Sequence, residues 1–312
     1  MKAVSILLLL LFVPEICGVD IIKGLWQAGR RLKKEFAPVS DEKAKEYLEK
    51  YGYNKVAASV RGLVSDFRNE VNEAVKEFQQ FAGLPVTGVL DMKTKQKMAQ
   101  PRCGVNDVQA LTSGRGIRVM GITESTFKWN KKSITYSIEN TSPDLPRRDA
   151  ERAIRKAFDT WAKVVPLDFS EVSSGKADIT IKFASQYHND PWPFDGKGGT
   201  LAHATFPPNG QLHFDEDENW TYKNADDIMN GATDLYAVAI HESGHTLGLD
   251  HSRDESSIMA PFYHQTVDDN GRYITPELTS GDIDKIQKIY GSRGGLSSTF
   301  SRVKSFFHGF GR

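Results

Sequence analysis

The chain has 312 residues, 39% of them hydrophobic, enough for two modest domains that each bury a core. Forty Lys and Arg residues balance forty Asp and Glu, giving a formal net charge of +0. That balance gives no electrostatic reason to expect nucleic acid or an anionic membrane as a partner of the whole chain.

In chain order, the first expected element is a targeting segment. Lys2 precedes the apolar run 6–13, and Pro14 and Gly18 follow. A charged start, a short apolar stretch and a small residue at a cut point fit a secretory signal peptide over 1–18. The run is too short to span a bilayer, so a secreted, extracellular protein is expected. Cys17 would leave with the signal, and Cys103 would remain as an unpaired thiol in an oxidising compartment. Such a thiol is either buried and inert or has a task.

Residues 19–110 read as a small helical domain. Val71, Ala74, Val75 and Phe78 fall at i, i+3, i+4 and i+7, one helix face. LPVTG at 84–88 breaks the pattern, and LDMKTKQKM begins another short helix. Residues 111–127, with Gly114, Gly116 and Gly121, show no strong period and read as a linker or activation region.

A second domain is expected over 128–291. SITYSI at 133–138 and ADITIKF at 177–183 alternate as strands do, and TLAHATF and QLHFD are shorter strand candidates. Pro146 opens a helix with Ala150, Ala153, Ile154, Ala157, Phe158 and Trp161 on one face. Further helices are expected at 234–247 and 282–290. Strands interleaved with three helices predict an α/β (α+β) domain around one mixed, twisted sheet.

The chemistry concentrates in HESGHTLGLDH, 241–251. His241 and His245 lie four apart, on one helix face, and can hold one metal from the same side. Gly248 supplies the left-handed residue that ends the helix, so the chain can turn back and offer His251. Three neutral imidazoles leave one coordination position open, as catalytic zinc requires. Glu242 is placed to take a proton from water at that position.

HExxHxxGxxH followed by a methionine turn is the metzincin signature, and SIMAP supplies Met259 eight residues after His251. Ser252, which follows the third histidine, and PRCGVND at 101–107 resemble the matrixin branch. Over about residues 25–291 the chain resembles a secreted matrix metalloproteinase. The resemblance implies a metzincin-like catalytic domain preceded by an all-helical prodomain. It also implies Glu242 as general base, with Met259 as a hydrophobic floor below the metal and not a ligand.

From the resemblance, Cys103 is expected to ligate the catalytic zinc in a latent form, with Arg102 and Asp107 pairing to brace its loop; Asn106 departs from the family's usual proline. His188, Asp190, His203 and His213 make a three-His, one-Asp set, for which the resemblance implies a structural zinc. Asp195, Asp215 and Glu218, with backbone carbonyls of Gly196, Gly198 and Thr200, match the family's calcium ligands, hard oxygens on a glycine-rich loop. In the turn PPNGQ, Gln211 stands where a second calcium site of the family has aspartate, which argues against that site.

The implied activity is zinc-dependent endopeptidase action on extracellular matrix proteins after prosegment removal, by a monomer open to protein protease inhibitors. A peptide is expected to lie antiparallel along the edge strand TLAHATF, beside PFY at 261–263. Two readings compete with it. A metal-stabilised binding protein would have no need of Glu242, and an astacin-like branch lacks a prosegment thiol of this type. Asp282 matches a family aspartate that pairs with the freshly cut N-terminal amine, and equally fits an acid at a helix N-terminus. Many members of the resembled family add a large propeller domain after the catalytic one; with only the tail 292–312 after Gly291, the resemblance is to the minimal, propeller-less kind. The tail's Phe300, Val303, Phe307 and Phe310 at helical spacing suit either an amphipathic, membrane-associating helix or a frayed basic end.

Overall fold

A computed structural model describes residues 36–54, 67–113, 116–120, 127–173 and 176–294, with the side chains of 67–70 and 109–120 left aside. The expected signal peptide, part of the linker and the tail from 295 onward lie outside the described residues. The described residues from Pro38 onward belong to one compact unit.

The N-terminal part packs three helices: α1 (Asp41–Lys50), α2 (Phe67–Phe81) and α3 (Met92–Met98). Ser40 caps α1 by accepting from the Lys43 N–H, and Asp41 and Glu42 in its first turn suit the positive end of the helix dipole. Asp91 caps α3 through the Thr94 N–H at 2.8 Å. Ala74, Val75 and Phe78 of the expected α2 face are buried against Tyr47, Leu48, Tyr51 and Tyr53. Gln79, itself buried, binds the N–H groups of Thr87 and Gly88 at 2.8 and 2.9 Å and so pins the LPVTG turn to α2.

Two short pieces follow. β1 (Arg102–Cys103) joins the main sheet, and β2 (Gln109–Ser113) pairs with β3 (Gly116–Met120) as an antiparallel ribbon. A structureless linker was the expectation for much of this stretch. The ribbon needs only backbone pairing, and Gly114 and Gly116 interrupt the side-chain alternation that would have signalled it.

The second part is a six-stranded mixed sheet with order β1-β7-β8-β6-β4-β5. Its further strands are β4 (Ser133–Ile138), β5 (Asp168–Glu171), β6 (Ile179–Ala184), β7 (Thr200–Ala204) and β8 (Gln211–Asp215). Strands β5, β4, β6 and β8 run parallel, and β7 is antiparallel to β8. A small parallel pair, β9 (Trp220–Thr221) and β10 (Thr233–Asp234), flanks the one-turn helix α5 (Ala225–Met229). With α4 (Arg147–Ala162), α6 (Leu235–Thr246) and α7 (Ser280–Tyr290) this is the expected α/β architecture, the short α5 being an addition to the three long helices.

All six residues of the expected α4 face are buried. Trp161 from that face sends its indole N–H to the Ile240 carbonyl of α6 at 2.9 Å. Helix α6 is buried on nearly every side, so its side chains carry little amphipathic signal. Its last carbonyls are met from elsewhere in the chain: Trp129 Nε1 donates to Thr246 O at 2.8 Å, and Tyr290 Oη to Leu247 O at 2.9 Å. The helix that carries two of the histidines is thus fixed at its side and at its end.

Candidate metal centres

Gly248, at φ 97°, ends α6 in a Schellman turn, its N–H bonding His245 O at 2.9 Å and that of Leu249 bonding Gly244 O at 3.0 Å. The reversal brings His251 back against His241 and His245. Cys103, carried in by β1, completes a buried set of four whose ligand atoms all lie within 4.8 Å of one another.

Each imidazole is oriented by a hydrogen bond at its far nitrogen. His241 Nδ1 meets Ile258 O at 2.7 Å, His245 Nδ1 meets Leu249 O at 2.6 Å, and His251 Nδ1 meets the Asp107 carboxylate at 2.7 Å. These acceptors place the proton on Nδ1 in all three rings, leaving bare Nε2 lone pairs that face one another. Burial holds all three imidazoles below the ordinary histidine pKa, hence neutral. His245 and His241 Nε2 are 3.1 Å apart, and His251 Nε2 has no hydrogen-bond partner. Bare nitrogens at that distance repel unless a cation lies between them. Tetrahedral zinc, about 2.0–2.1 Å from each nitrogen, sets them about 3.3 Å apart, so the residues fit the ion. Cys103 Sγ, 3.5 Å from His245 Nε2, suits the fourth position.

Glu242, fully buried beside this set, accepts from Tyr263 Oη at 2.7 Å on one oxygen, while its Oε2 has no partner. Burial pushes its carboxyl up to about 7, against the Tyr263 hydroxyl and then the nearby Cys103 thiol, which pull it down. Gly244, on the next turn of α6, answers a packing need: a Cβ there would run into Met259 Sδ and come within 3.0 Å of the Trp161 ring. Met259 is thus a buried floor, outside the ligand set.

Arg102 and Asp107 form a buried bidentate pair at 2.6 and 2.9 Å. Arg102 also bonds Tyr47 Oη and stacks 3.5 Å over the Tyr51 ring, and Tyr53 Oη donates to Asp107 at 2.5 Å. Burial alone raises the Asp107 carboxyl; Arg102 and His251 outweigh it and hold it at about 2. The segment 101–104 lies between two walls. On one side it runs parallel to β7, with Arg102 N–H to Gly199 O and Gly104 N–H to Ala202 O, both 2.8 Å. On the other, Cys103 N–H reaches Pro261 O at 2.9 Å and Tyr263 N–H reaches Pro101 O at 3.1 Å. The edge of β7, expected to be open, is therefore already paired within this chain.

The second set, His188, Asp190, His203 and His213, is also buried and equally tight. Asp190 Oδ2 lies 2.8, 2.9 and 2.8 Å from a nitrogen of His188, His203 and His213. His203 and His213 nitrogens approach to 3.1 Å, and burial, then His203, pull His213 down to about 3. Three rings crowded on one carboxylate oxygen again match a closed tetrahedral shell.

The expected calcium loop turns through three left-handed glycines, Gly196, Gly198 and Gly199. Glu218 accepts from the Gly198 N–H, and Asp195 accepts from the Thr200 N–H at 2.9 Å. Burial, reinforced by neighbouring acids, pushes Asp215 up to about 6 and Glu218 up to about 7. Asp215 Oδ2 is buried without a partner, so this set also suits a cation, although its carboxylates are less tightly drawn together than the two histidine sets. Lys50 of α1 bonds Thr200 Oγ1 at 2.7 Å and approaches Asp195 at 3.3 Å.

Several residues of the site escaped sequence reasoning: Tyr263 as the partner of Glu242, and Tyr47, Tyr51 and Tyr53 as the cage of the Arg102–Asp107 pair. The nearest signal for the cage was the repeated tyrosine in EYLEKYGY. Asp282 lies at a helix N-terminus, as the second of its two expected roles has it. It closes a capping box with Thr279 and also receives the Ser257 hydroxyl and the Ile258 N–H, the latter at 3.0 Å. With those donors it braces the turn whose Ile258 carbonyl holds His241.

A helix-borne histidine pair, a third histidine beyond a glycine turn and a buried acid between them define a metallopeptidase-type site, here closed by a cysteine. Comparison with known proteins agrees. A model of the matrixin family, Peptidase_M10, matches residues 128–291, and one described as a putative peptidoglycan binding domain matches residues 41–98. The chain is 53% identical over 272 residues to matrix metalloproteinase-C of Caenorhabditis elegans, covering 84% of this chain and 45% of that protein. It is 44% identical over 255 residues to matrix metalloproteinase-16 of Mus musculus, covering 78% and 40%, and 44% identical over 255 residues to the interstitial collagenase of Equus caballus, covering 80% and 49%. The chain belongs to the matrixin family, whose members use zinc and calcium. It spans about half the length, or less, of these relatives.

Proposed function

We propose that this chain is a secreted, latent zinc endopeptidase that cuts extracellular matrix proteins once its prosegment is removed. The observation that carries the reading is Glu242, buried beside three converging Nε2 lone pairs, with one oxygen held by Tyr263 and the other unpartnered. His241, His245 and His251 would hold the catalytic zinc, with Cys103 as fourth ligand in the latent form. His188, Asp190, His203 and His213 would hold a structural zinc, and Asp195, Asp215 and Glu218, with carbonyls of Gly196, Gly198 and Thr200, calcium. When bound, the catalytic zinc supplies positive charge that polarises a peptide carbonyl and acidifies water.

The protein's own part is binding and proton transfer. Withdrawal of residues 101–104 frees the outer edge of β7, and an extended peptide can add there as a strand, with Pro261–Tyr263 as the opposite wall. Glu242, through Oε2, takes a proton from the attacking water and passes it to the leaving amine. Tyr263 keeps that carboxylate aimed throughout. Protein inhibitors that present an extended segment would use the same edge. Secretion rests on the segment 1–18, and among the described residues no helix is long and apolar enough to cross a membrane.

The test is digestion of a quenched peptide by the full chain before and after prosegment removal, with and without a zinc chelator. Cleavage that appears on processing and disappears with chelator is expected. A processed, folded, zinc-loaded protein that cuts no member of a peptide library would overturn the reading and favour a metal-stabilised binding protein.

A further inference from the structure

We propose that the prosegment is a working part of the zinc site as well as its plug: Asp107 is the carboxylate that orients and strengthens His251 as a ligand, and that support departs with the prosegment. The inference rests on the reading of His241, His245 and His251 as zinc ligands.

The three histidines are not supported alike. His241 and His245 hand their Nδ1 protons to backbone carbonyls within the same lobe, Ile258 at 2.7 Å and Leu249 at 2.6 Å. Those bonds are internal to the catalytic part and involve no prosegment residue. His251 is different. Among the described residues its Nδ1 acceptor is the side chain of Asp107, at 2.7 Å and 144 residues away in sequence. Both side chains are buried, at 1% and 0% exposure, so water does not compete for the bond.

Asp107 is also held rigidly for this task. Arg102 grips it through two hydrogen bonds, Tyr53 Oη through a third at 2.5 Å, and its own N–H is tied to Tyr51 O at 3.2 Å. A fixed carboxylate is a stronger acceptor than a backbone carbonyl. Behind a ligating imidazole it fixes the tautomer and raises the basicity of the nitrogen that faces the metal. Residues 102–107 therefore contribute twice to one centre, with Cys103 as a ligand and Asp107 as the group behind another ligand. The zymogen is then the form best built to acquire zinc and keep it, and processing removes both contributions together.

The experiment separates the two. Full-length zymogens carrying Glu242→Ala, which prevents self-cleavage, are loaded with zinc, and release into a chromogenic chelator is followed. The set comprises the parent, Cys103→Ser, Asp107→Asn and the double variant. Loss of a partner behind a metal ligand costs roughly 10–100-fold in affinity, and release from Asp107→Asn should quicken by that order. The same acceleration should recur on the Cys103→Ser background, where no sulfur remains to be loosened. Release from Asp107→Asn at the parent rate, or an effect that vanishes without the thiol, would overturn the proposal by reducing Asp107 to a brace for Cys103.

Should Asp107→Asn fail to fold, imidazole proton resonances of the zinc-loaded Cys103→Ser zymogen decide, since no thiolate then leaves the metal on processing. Removing the prosegment should shift the His251 Nδ1 proton and leave those of His241 and His245 in place; an unmoved His251 proton refutes the idea. A parent that takes up no zinc at all would instead sink the metal reading beneath it.

Discussion

Among the described residues no basic side chain acts on Glu242, which lies in a helix that is buried almost throughout. Such a group is costly unless its environment is completed by a metal and by substrate water, which makes its removal informative. Glu242→Ala takes away the proton acceptor while leaving the ligand set of the site untouched. Peptide cleavage by the processed enzyme should fall by roughly 10²–10⁴ at unchanged zinc content, read by steady-state kinetics and metal analysis on one preparation. Full activity in that variant would remove the residue from the mechanism. Gly244→Ala tests the floor. Its new methyl group meets Met259, whose backbone is tied at both ends, carbonyl to Ser252 N–H at 2.7 Å and N–H to Ser257 Oγ at 3.0 Å. Overpacking of about 1–3 kcal/mol is expected, seen as a lowered melting temperature, and a variant as stable as the parent would show that the turn yields freely. The histidine spacing was legible at this scale because the four-residue repeat and the glycine turn are local. The link from Asp107 to His251 was not, since nothing in either local sequence announces a partner in another lobe.

Among the elements, those with a surface face were the easiest to read. Helix α4 shows its buried stripe plainly, whereas α6 is buried all round and became visible only through its motif. Strand β5 is four residues long with mostly exposed side chains, and β9 and β10 have two residues each, too short for any periodicity to accumulate. Strand β1 is the most consequential of the short elements, because it lies at the centre of the segment 101–104 held between β7 and 261–263. It runs parallel to β7, so a peptide bound antiparallel would cross the site in the opposite direction. Cys103→Ser weakens the plug chemically, and the intact zymogen should then cut a quenched peptide without processing; persistent latency would mean that the helical part blocks the cleft by bulk. Gly104 tests the same strand by shape. A Cβ there would lie 2.7 Å from Thr200 Cγ2 and 3.1 Å from His203 Cβ, both on β7, so Gly104→Ala should lift the strand. At about 1–3 kcal/mol the open fraction rises roughly 5- to 150-fold. A thiol reagent should modify Cys103 correspondingly faster, and an unchanged rate would show that β1 can shift along β7 without leaving it.

At the scale of the molecule, one aromatic ring of the second part lies within the hydrophobic core of the helical part. Phe262 belongs by sequence to the wall of the cleft, yet it is buried in the cluster of the helical part, 6.5 Å from the Phe78 ring. Lys97 of α3 lies 4.2 Å above it while pairing with Glu255, and Arg102 lies 5.2 Å away. The ring is therefore an anchor for the prosegment domain, placed next to the backbone that grips Cys103. The buried cluster that Phe262 joins is otherwise made of residues of that domain. Truncating a buried phenylalanine costs up to about 3–5 kcal/mol, whereas changing an exposed side chain usually costs within about 0.5 kcal/mol. Phe262→Ala should accordingly act on docking and hardly at all on the catalytic fold. In the zymogen, Cys103 should react faster with a thiol reagent and the melting temperature should fall. In the processed enzyme, the melting temperature should match that of the parent. If the processed variant lost as much stability as the zymogen, Phe262 would be supporting the catalytic core itself, and the ring could not be the hinge on which latency depends.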